Sequence, residues 1–466
     1  MIAAVAAGHP ATVEAGAEIL ADGGSAADAA VAASLASCVA ETVMTGLLGG
    51  GHAIYFSAAD GRAWNLDCFV AVPGLGAERR EAALLELEVP FGAELVHYAV
   101  GIASCGVPGL PAGLGALWKR FGRLPWARVV EPAVQLARDG VEMPPAHAAC
   151  LEMLAPVMTM NEGGEIYAPG GRLLASGDRL DQPGLVRALA FLAEEGPACA
   201  YTGSLAEALV ELMEQRGGLV TREDLREYEA VWTDPVDVGY RGTRFLTRSG
   251  LSLVPETLPR LPELRPLDEP ERVLAFARTL ESVKGDGETT NVSIVDGAGD
   301  ACVLTTSLGL GSGDFLPGLD LHLNSMLGES DLLRGALEPG GRMGSMMAPS
   351  VALDAEGAVA LGVGAAGGTR LRGALLQVAA GVLDEGLEPA DAVERPRVHT
   401  ADGRAQLEPG FGEATLAALE RAGYEVRVWP ARHHYFGGVS LVTPSGAAGD
   451  PRRSGSARRL PPAAPT

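Results

Sequence analysis

A long helical run over residues 109–230, set between strand-like segments, constrains this chain more than any other feature. Its breaks fall at Gly122, Gly140 and Gly217-Gly218, where glycine ends helices. Before it, His52–Phe56 reads as a strand entered from the glycine loop Gly46–Gly51. After it, Asn291–Asp296 and Ala301–Ser307 flank the turn Gly297-Ala298-Gly299 with β-branched residues on both sides, the pattern of a strand pair. A second pair is expected at about Val351–Asp354 and Ala358–Val363, followed by a helix from about Leu371 to Leu383. Strands on both sides of a helical block imply sheets covered by helices, which the pattern alone resolves to α/β or α+β.

The first forty residues predict two further helices. Ala11–Leu20 is stopped by Gly23-Gly24, and Ser25-x-x-Asp28 forms a capping-box start to an Ala/Val-rich buried helix. The Gly46–Gly51 loop lacks the Lys-Ser/Thr ending of a phosphate-binding loop. Around residues 249–270 the sequence turns Pro-rich and acidic and reads as a loop or linker. The C-terminal stretch from about 455 to 466 has the composition of a disordered tail. No internal repeat is visible.

A chain of 466 residues, 47% hydrophobic and 20% charged, can bury a sizeable core. Acidic residues outnumber basic ones 59 to 36, so the surface repels nucleic-acid phosphates and anionic membranes, and neither is an expected partner. Cys38, Cys68, Cys105, Cys150, Cys199 and Cys302 are scattered without a C-x-x-C pair. They read as small buried hydrophobes of a reducing compartment, with a disulfide the other possibility. The N-terminal apolar stretch has no basic lead and breaks at His9-Pro10, and no run approaches the roughly 20 apolar residues of a membrane span. A cytoplasmic protein is the expectation.

No H-E-x-x-H metal motif and no G-x-S-x-G elbow occurs, and His433-His434 reads as surface or structural. No metal or cofactor is expected. The informative stretch is Gly287-Glu288-Thr289-Thr290-Asn291 and the strand it opens. Taken blandly it is a Thr-rich strand.

This stretch, TTNVSIVD followed by GAGDACVLTTSLGLGSG, resembles the start of the small subunit of gamma-glutamyltransferases. HPATVEAGAEIL, GLLGGGH, SCGVPGLPAGL, FGRLPWARVVEPAVQLARDG and GGLVTREDLREY precede it in the family's order. SMMAPSVAL, GAAGGTRLRGALLQV, AVERPRVH and DPRRSG follow in the same way, so the resemblance spans residues 3–455. It implies an αββα sandwich of the N-terminal-nucleophile hydrolases. It also implies a precursor that cuts itself between Glu288 and Thr289 into a heterodimer of its own fragments, 1–288 and 289–466. The freed α-amine of Thr289, with a reference pKa of about 7.7–8.0, would then take the proton of the Thr289 hydroxyl. Thr290 aligns with the second, non-nucleophilic residue. Gly367 and Gly368 align with the oxyanion-binding pair, and Ser307 with a threonine that contacts the nucleophile.

Departures from the family bear on the substrate. Phe69 stands where an arginine of D-x-R-E-x-A-P holds the glutamyl carboxylate, in the run Asp67–Pro73. Ser325 and Gly328, in Leu323–Glu329, replace the groups of N-N-E/Q-M-D-D-F that hold the ammonium. Gly309 replaces an asparagine, and Gly344-Ser345 stand for a serine pair. Removing the bidentate arginine would strand a donor carboxylate unpaired. The expectation is therefore a small-molecule acyl substrate less zwitterionic than γ-glutamyl, such as an acyl amide of the kind cephalosporin acylases cleave. Water is the expected acceptor and an amine the alternative. Other readings are C–C bond hydrolysis in a natural-product pathway, a classical glutathione hydrolase, and a non-catalytic binder of a small molecule.

Overall fold

Along Ala301–Leu304 every side chain is buried, although alternate residues point to opposite faces. Ala301 and Val303 join one apolar cluster, while Cys302 and Leu304 join another. A strand with no wet face must lie in a sheet covered on both sides, and the computed structural model contains such a sheet. Residues 2–76, 83–91, 94–281, 289–333, 335, 337–368 and 370–461 are described.

The strands of the two large sheets are β1 (Ala4–Ala7), β2 (Gly50–Ser57), β3 (Arg62–Cys68), β4 (Val231–Thr233), β5 (Val236–Tyr240) and β6 (Thr243–Thr247). They continue with β7 (Thr290–Val295), β8 (Ala301–Ser307), β9 (Ser350–Leu353), β10 (Val359–Ala366), β11 (Gly438–Val442), β12 (Ala447–Gly449) and β13 (Ser456–Arg459). One sheet has the order β13-β1-β7-β8-β2-β3-β4 and the other β12-β11-β10-β9-β6-β5. Between them pack Ile54, Phe56 and Val303 from the first sheet and Val351, Leu353 and Val359 from the second.

Helices cover both outer faces. On the first sheet lie α1 (Pro10–Ala21), α2 (Ala26–Ala40), α3 (Leu110–Phe121) and α4 (Trp126–Asp139), packed on Val5, Tyr55, Ile294 and Leu304. A fifth helix, α5 (Pro145–Met158), packs in a separate cluster beside Met44. On the second sheet lie α6 (Glu269–Leu280) and α7 (Arg370–Leu383), packed on Phe245, Leu361 and Leu441. The expected four-layer αββα arrangement is present.

Local signals hold closely. Ser25 and Asp28 form the reciprocal capping box of α2, at 3.1 and 3.0 Å. Gly122 and Gly140 follow the last residues of α3 and α4. All six cysteines are free and buried. His434 is buried, and burial with nearby Arg453 pushes its imidazole down to about 2, so it is neutral.

Two expectations are corrected. The 249–270 segment is no linker: Val254, Leu258, Leu261 and Leu264 are buried in the core over the second sheet. The tail does not begin at 455, because β13 pairs antiparallel with β1, Val5 opposite Arg458. Its adjacent Arg458 and Arg459 stay exposed, and charged side chains suit an edge strand. Among the described residues no helix is long and apolar enough to cross a membrane.

Candidate active site

Thr289 immediately precedes β7, near the middle of the first sheet, and is buried. The antiparallel register sets Thr290 opposite Thr306, which brings Thr289 level with Ser307 at the end of β8. Below them, polar side chains cross from sheet to sheet. Thr305 donates to Asn291 Oδ1 (2.7 Å), Asn291 Nδ2 donates to Ser293 (3.0 Å), and Ser293 donates to the Ser440 carbonyl (2.8 Å). These satisfied bonds make the start of β7 a rigid platform.

The turn between β10 and α7 supplies the opposite wall. Gly367 and Gly368 have φ of 126° and 56°, a backbone that only glycine adopts without strain. Gly368 lines a pocket together with Thr289, Ser307, Phe69 and Ser345. The rest of the wall is Met326, Leu332, Met346, Met347 and Leu371, with the carboxylate of Glu329 among them. Gly367 stands one residue behind that wall.

Phe69 is fully buried and stacks on His52, ring centroids 5.5 Å apart. Burial, with Arg248 and Arg342 nearby, drives the His52 imidazole well below its usual pKa, so it is neutral. The two arginines are engaged elsewhere. Arg248 donates to the carbonyls of Ser345 (3.3 Å) and Met347 (2.9 Å), and burial lowers its pKa to about 10. Arg342 lies 3.4 Å from Asp67 and over the Tyr228 ring at 4.2 Å. Neither lines the pocket.

The other residues singled out from the sequence lie behind this wall. Ser325 Oγ accepts from the Leu310 amide (3.0 Å), and Gly309 donates its amide to Ser307 Oγ (3.0 Å). Gly309 is close against both Ser325 and Glu329. Gly344 packs on Leu251. Gly328 lies against the backbone of Ala99, in a hairpin of Leu85–Phe91 with Glu94–Val100. Any side chain at Gly328 would collide with the Ala99 carbonyl. Gly328→Asp should therefore cost ~1–3 kcal/mol through overpacking. An unchanged Tm in a thermal melt would contradict that contact. Glu288 lies outside the described residues.

Sequence reasoning missed Glu329, Met346 and Met347 in the pocket, and it missed Glu41 on the other side of Thr289. Glu329 stands one position past the two residues weighed in its run. Among the described residues no cluster of His, Cys, Asp and Glu has metal-ligand geometry.

The gamma-glutamyltranspeptidase family model matches residues 12–254 and 266–460. The Acylase ACY 1 proenzyme of Pseudomonas sp. (strain SE83) is 29% identical, with 90% of this chain and 86% of that protein covered. The glutathione hydrolase proenzyme of Escherichia coli is 27% identical, covering 88% and 83%. Among solved structures, cephalosporin acylase from Bacillus halodurans superposes with a TM-score of 0.82 at 23% identity, covering 98% of this chain and 96% of that one. By family and by fold, this chain belongs to the gamma-glutamyltranspeptidases, within the N-terminal-nucleophile hydrolases.

Proposed function

We propose that this protein is a self-processing amidohydrolase in which Thr289, freed by cleavage after Glu288, transfers an apolar acyl group to water. The observation that carries this reading is the pocket itself. It joins Thr289 to Gly368 across a wall of Phe69, Met326, Leu332, Met346, Met347 and Leu371. The Thr289 α-amine removes the hydroxyl proton, the hydroxyl attacks the acyl carbon, and the amide N–H groups of Gly367 and Gly368 stabilise the oxyanion. The leaving amine takes the proton, and water then opens the ester, returning Thr289. Ser307, level with Thr289, supports the nucleophile. The two fragments remain together as a heterodimer because β7 pairs with β1 and β8 pairs with β2, each pair joining one fragment to the other.

The pocket's chemistry supports an uncharged acyl chain. Where a zwitterionic donor needs a cation for its carboxylate, this wall offers Phe69. The similarity to an acylase proenzyme over 90% of the chain supports acyl transfer as the reaction.

The test is to mix purified protein with a panel of chromogenic anilides carrying neutral, cationic and anionic acyl groups, quench during turnover, and search by mass spectrometry for an ester. A neutral-acyl adduct on the peptide beginning at Thr289 is the expected result. An adduct on another residue, or turnover confined to γ-glutamyl anilide, would overturn it.

A further inference from the structure

Glu41 follows the last turn of α2, with its carboxyl sealed from solvent. One oxygen accepts from Thr12 Oγ1 of α1 at 2.6 Å, and the other accepts from the hydroxyl of Thr290, the first residue of β7. Thr290 is covalently joined to Thr289. Glu41, Thr289 and Thr290 line one cavity, closed by Met44, His147 and Arg453, which leaves ≈ 10 Å³ for the centre of a water molecule, about one water's worth.

A carboxylate is an expensive choice for this place. It sits at the C-terminal end of a helix, where the dipole disfavours negative charge, and it is fully desolvated. A neutral glutamine could tie Thr12 to Thr290 as well. Burial raises the carboxyl to about 7, against the opposing bonds from Thr12 and Thr290 and the charge of Arg453, and an ammonium facing it in the cleaved chain would keep it ionised to lower pH.

We propose that Glu41 is a positioning residue for the nucleophile. It fixes the start of β7 through the Thr290 hydroxyl, and its carboxylate, sharing the cavity with the Thr289 α-amine, sets the pH at which that amine becomes a base. The inference rests on Thr289 being the nucleophile. A carboxylate beside an ammonium holds the proton on it, so its charge delays deprotonation to higher pH.

The other charged or titratable groups around the cavity do not take over this role. Burial keeps His147 neutral, at about 3, and His9 neutral, at about 4. Burial pushes the Cys38 thiol far up, so it stays protonated. Asp450 is paired with Arg397 and Arg452. Arg453 faces Glu41 with positive charge, which by itself would expel a proton from the amine.

The experiment compares the pH dependence of kcat/KM, from pH 5 to 9, for wild type and Glu41→Gln with a neutral acyl anilide. Glutamine keeps an acceptor for Thr290 but removes the charge. The acid limb should move down by about one pH unit, since a nearby opposite charge shifts a pKa by about 1–3. A residue with a merely structural role would leave the limb in place, and that result overturns the proposal.

If Glu41→Gln does not fold, the hydroxyl decides. Thr290→Val should lower kcat about tenfold at unchanged KM, with Thr290→Ser restoring it. Equal kcat in all three proteins overturns the proposal. Failure of the wild-type chain to cleave would instead sink the Thr289 reading, so the two failures are distinguishable.

Discussion

Thr289→Ala should abolish turnover, lowering kcat by at least ~10⁴-fold, and should leave a single chain of 466 residues. Both effects follow from one atom. In the proposed mechanism the hydroxyl is the nucleophile that breaks the bond before Thr289, and later the one that accepts the acyl group. The substitution removes only Oγ1 and Cγ2 from a buried position whose neighbours are held by the Asn291, Ser293 and Thr305 bonds, so the fold should persist. A matching melting temperature separates a lost nucleophile from a lost structure. Thr289→Ser keeps the oxygen and should still cleave and turn over. Activity within tenfold of wild type in Thr289→Ala would remove Thr289 from the chemistry.

The second large effect is discrimination against γ-glutamyl donors. A bidentate arginine–carboxylate contact comprises two charge-assisted bonds of about 1.5–3 kcal/mol each. At 1.36 kcal/mol per factor of ten, their absence at Phe69 should lower kcat/KM for γ-glutamyl anilide by ~10³-fold relative to a neutral acyl anilide. Phe69→Arg should raise the ratio of γ-glutamyl to neutral-acyl kcat/KM at least tenfold. It should also cost stability, because Phe69 is fully buried on His52 with Arg248 and Arg342 near that ring. The ammonium side cannot be rebuilt by adding an acid at Gly328, since the Ala99 carbonyl occupies that space. Equal handling of both donors by wild type would return the classical glutathione hydrolase reading.

What the sequence made legible was local chemistry. Ser25 and Asp28 are three residues apart, so their capping box can be read from the chain alone. The strands β7 and β8 are joined by a short turn, and their β-branched residues state the pairing. The resemblance carried the layered fold and the position of Thr289, which no periodicity could have given.

The parts that escaped depend on distance along the chain. Thr290 and Glu41 meet across 249 residues, and nothing near Glu41 announces a partner. β13 looks like tail by composition, yet β1 offers it an edge and α1 lies against it. The hairpin of Leu85–Phe91 and Glu94–Val100 went unread, yet Ala99 within it decides what Gly328 can be. Met346 and Met347 read as ordinary apolar residues until Arg248, from the end of β6, binds the neighbouring carbonyls and turns that segment into pocket wall.

The central claim is that Thr289 becomes an N-terminus. Protein purified and held near neutral pH can be denatured, weighed by intact mass spectrometry, and the smaller fragment sequenced from its N-terminus. The predicted result is two fragments of residues 1–288 and 289–466, the second reading Thr-Thr-Asn-Val. A single uncut chain, or a fragment beginning at any other residue, would contradict it.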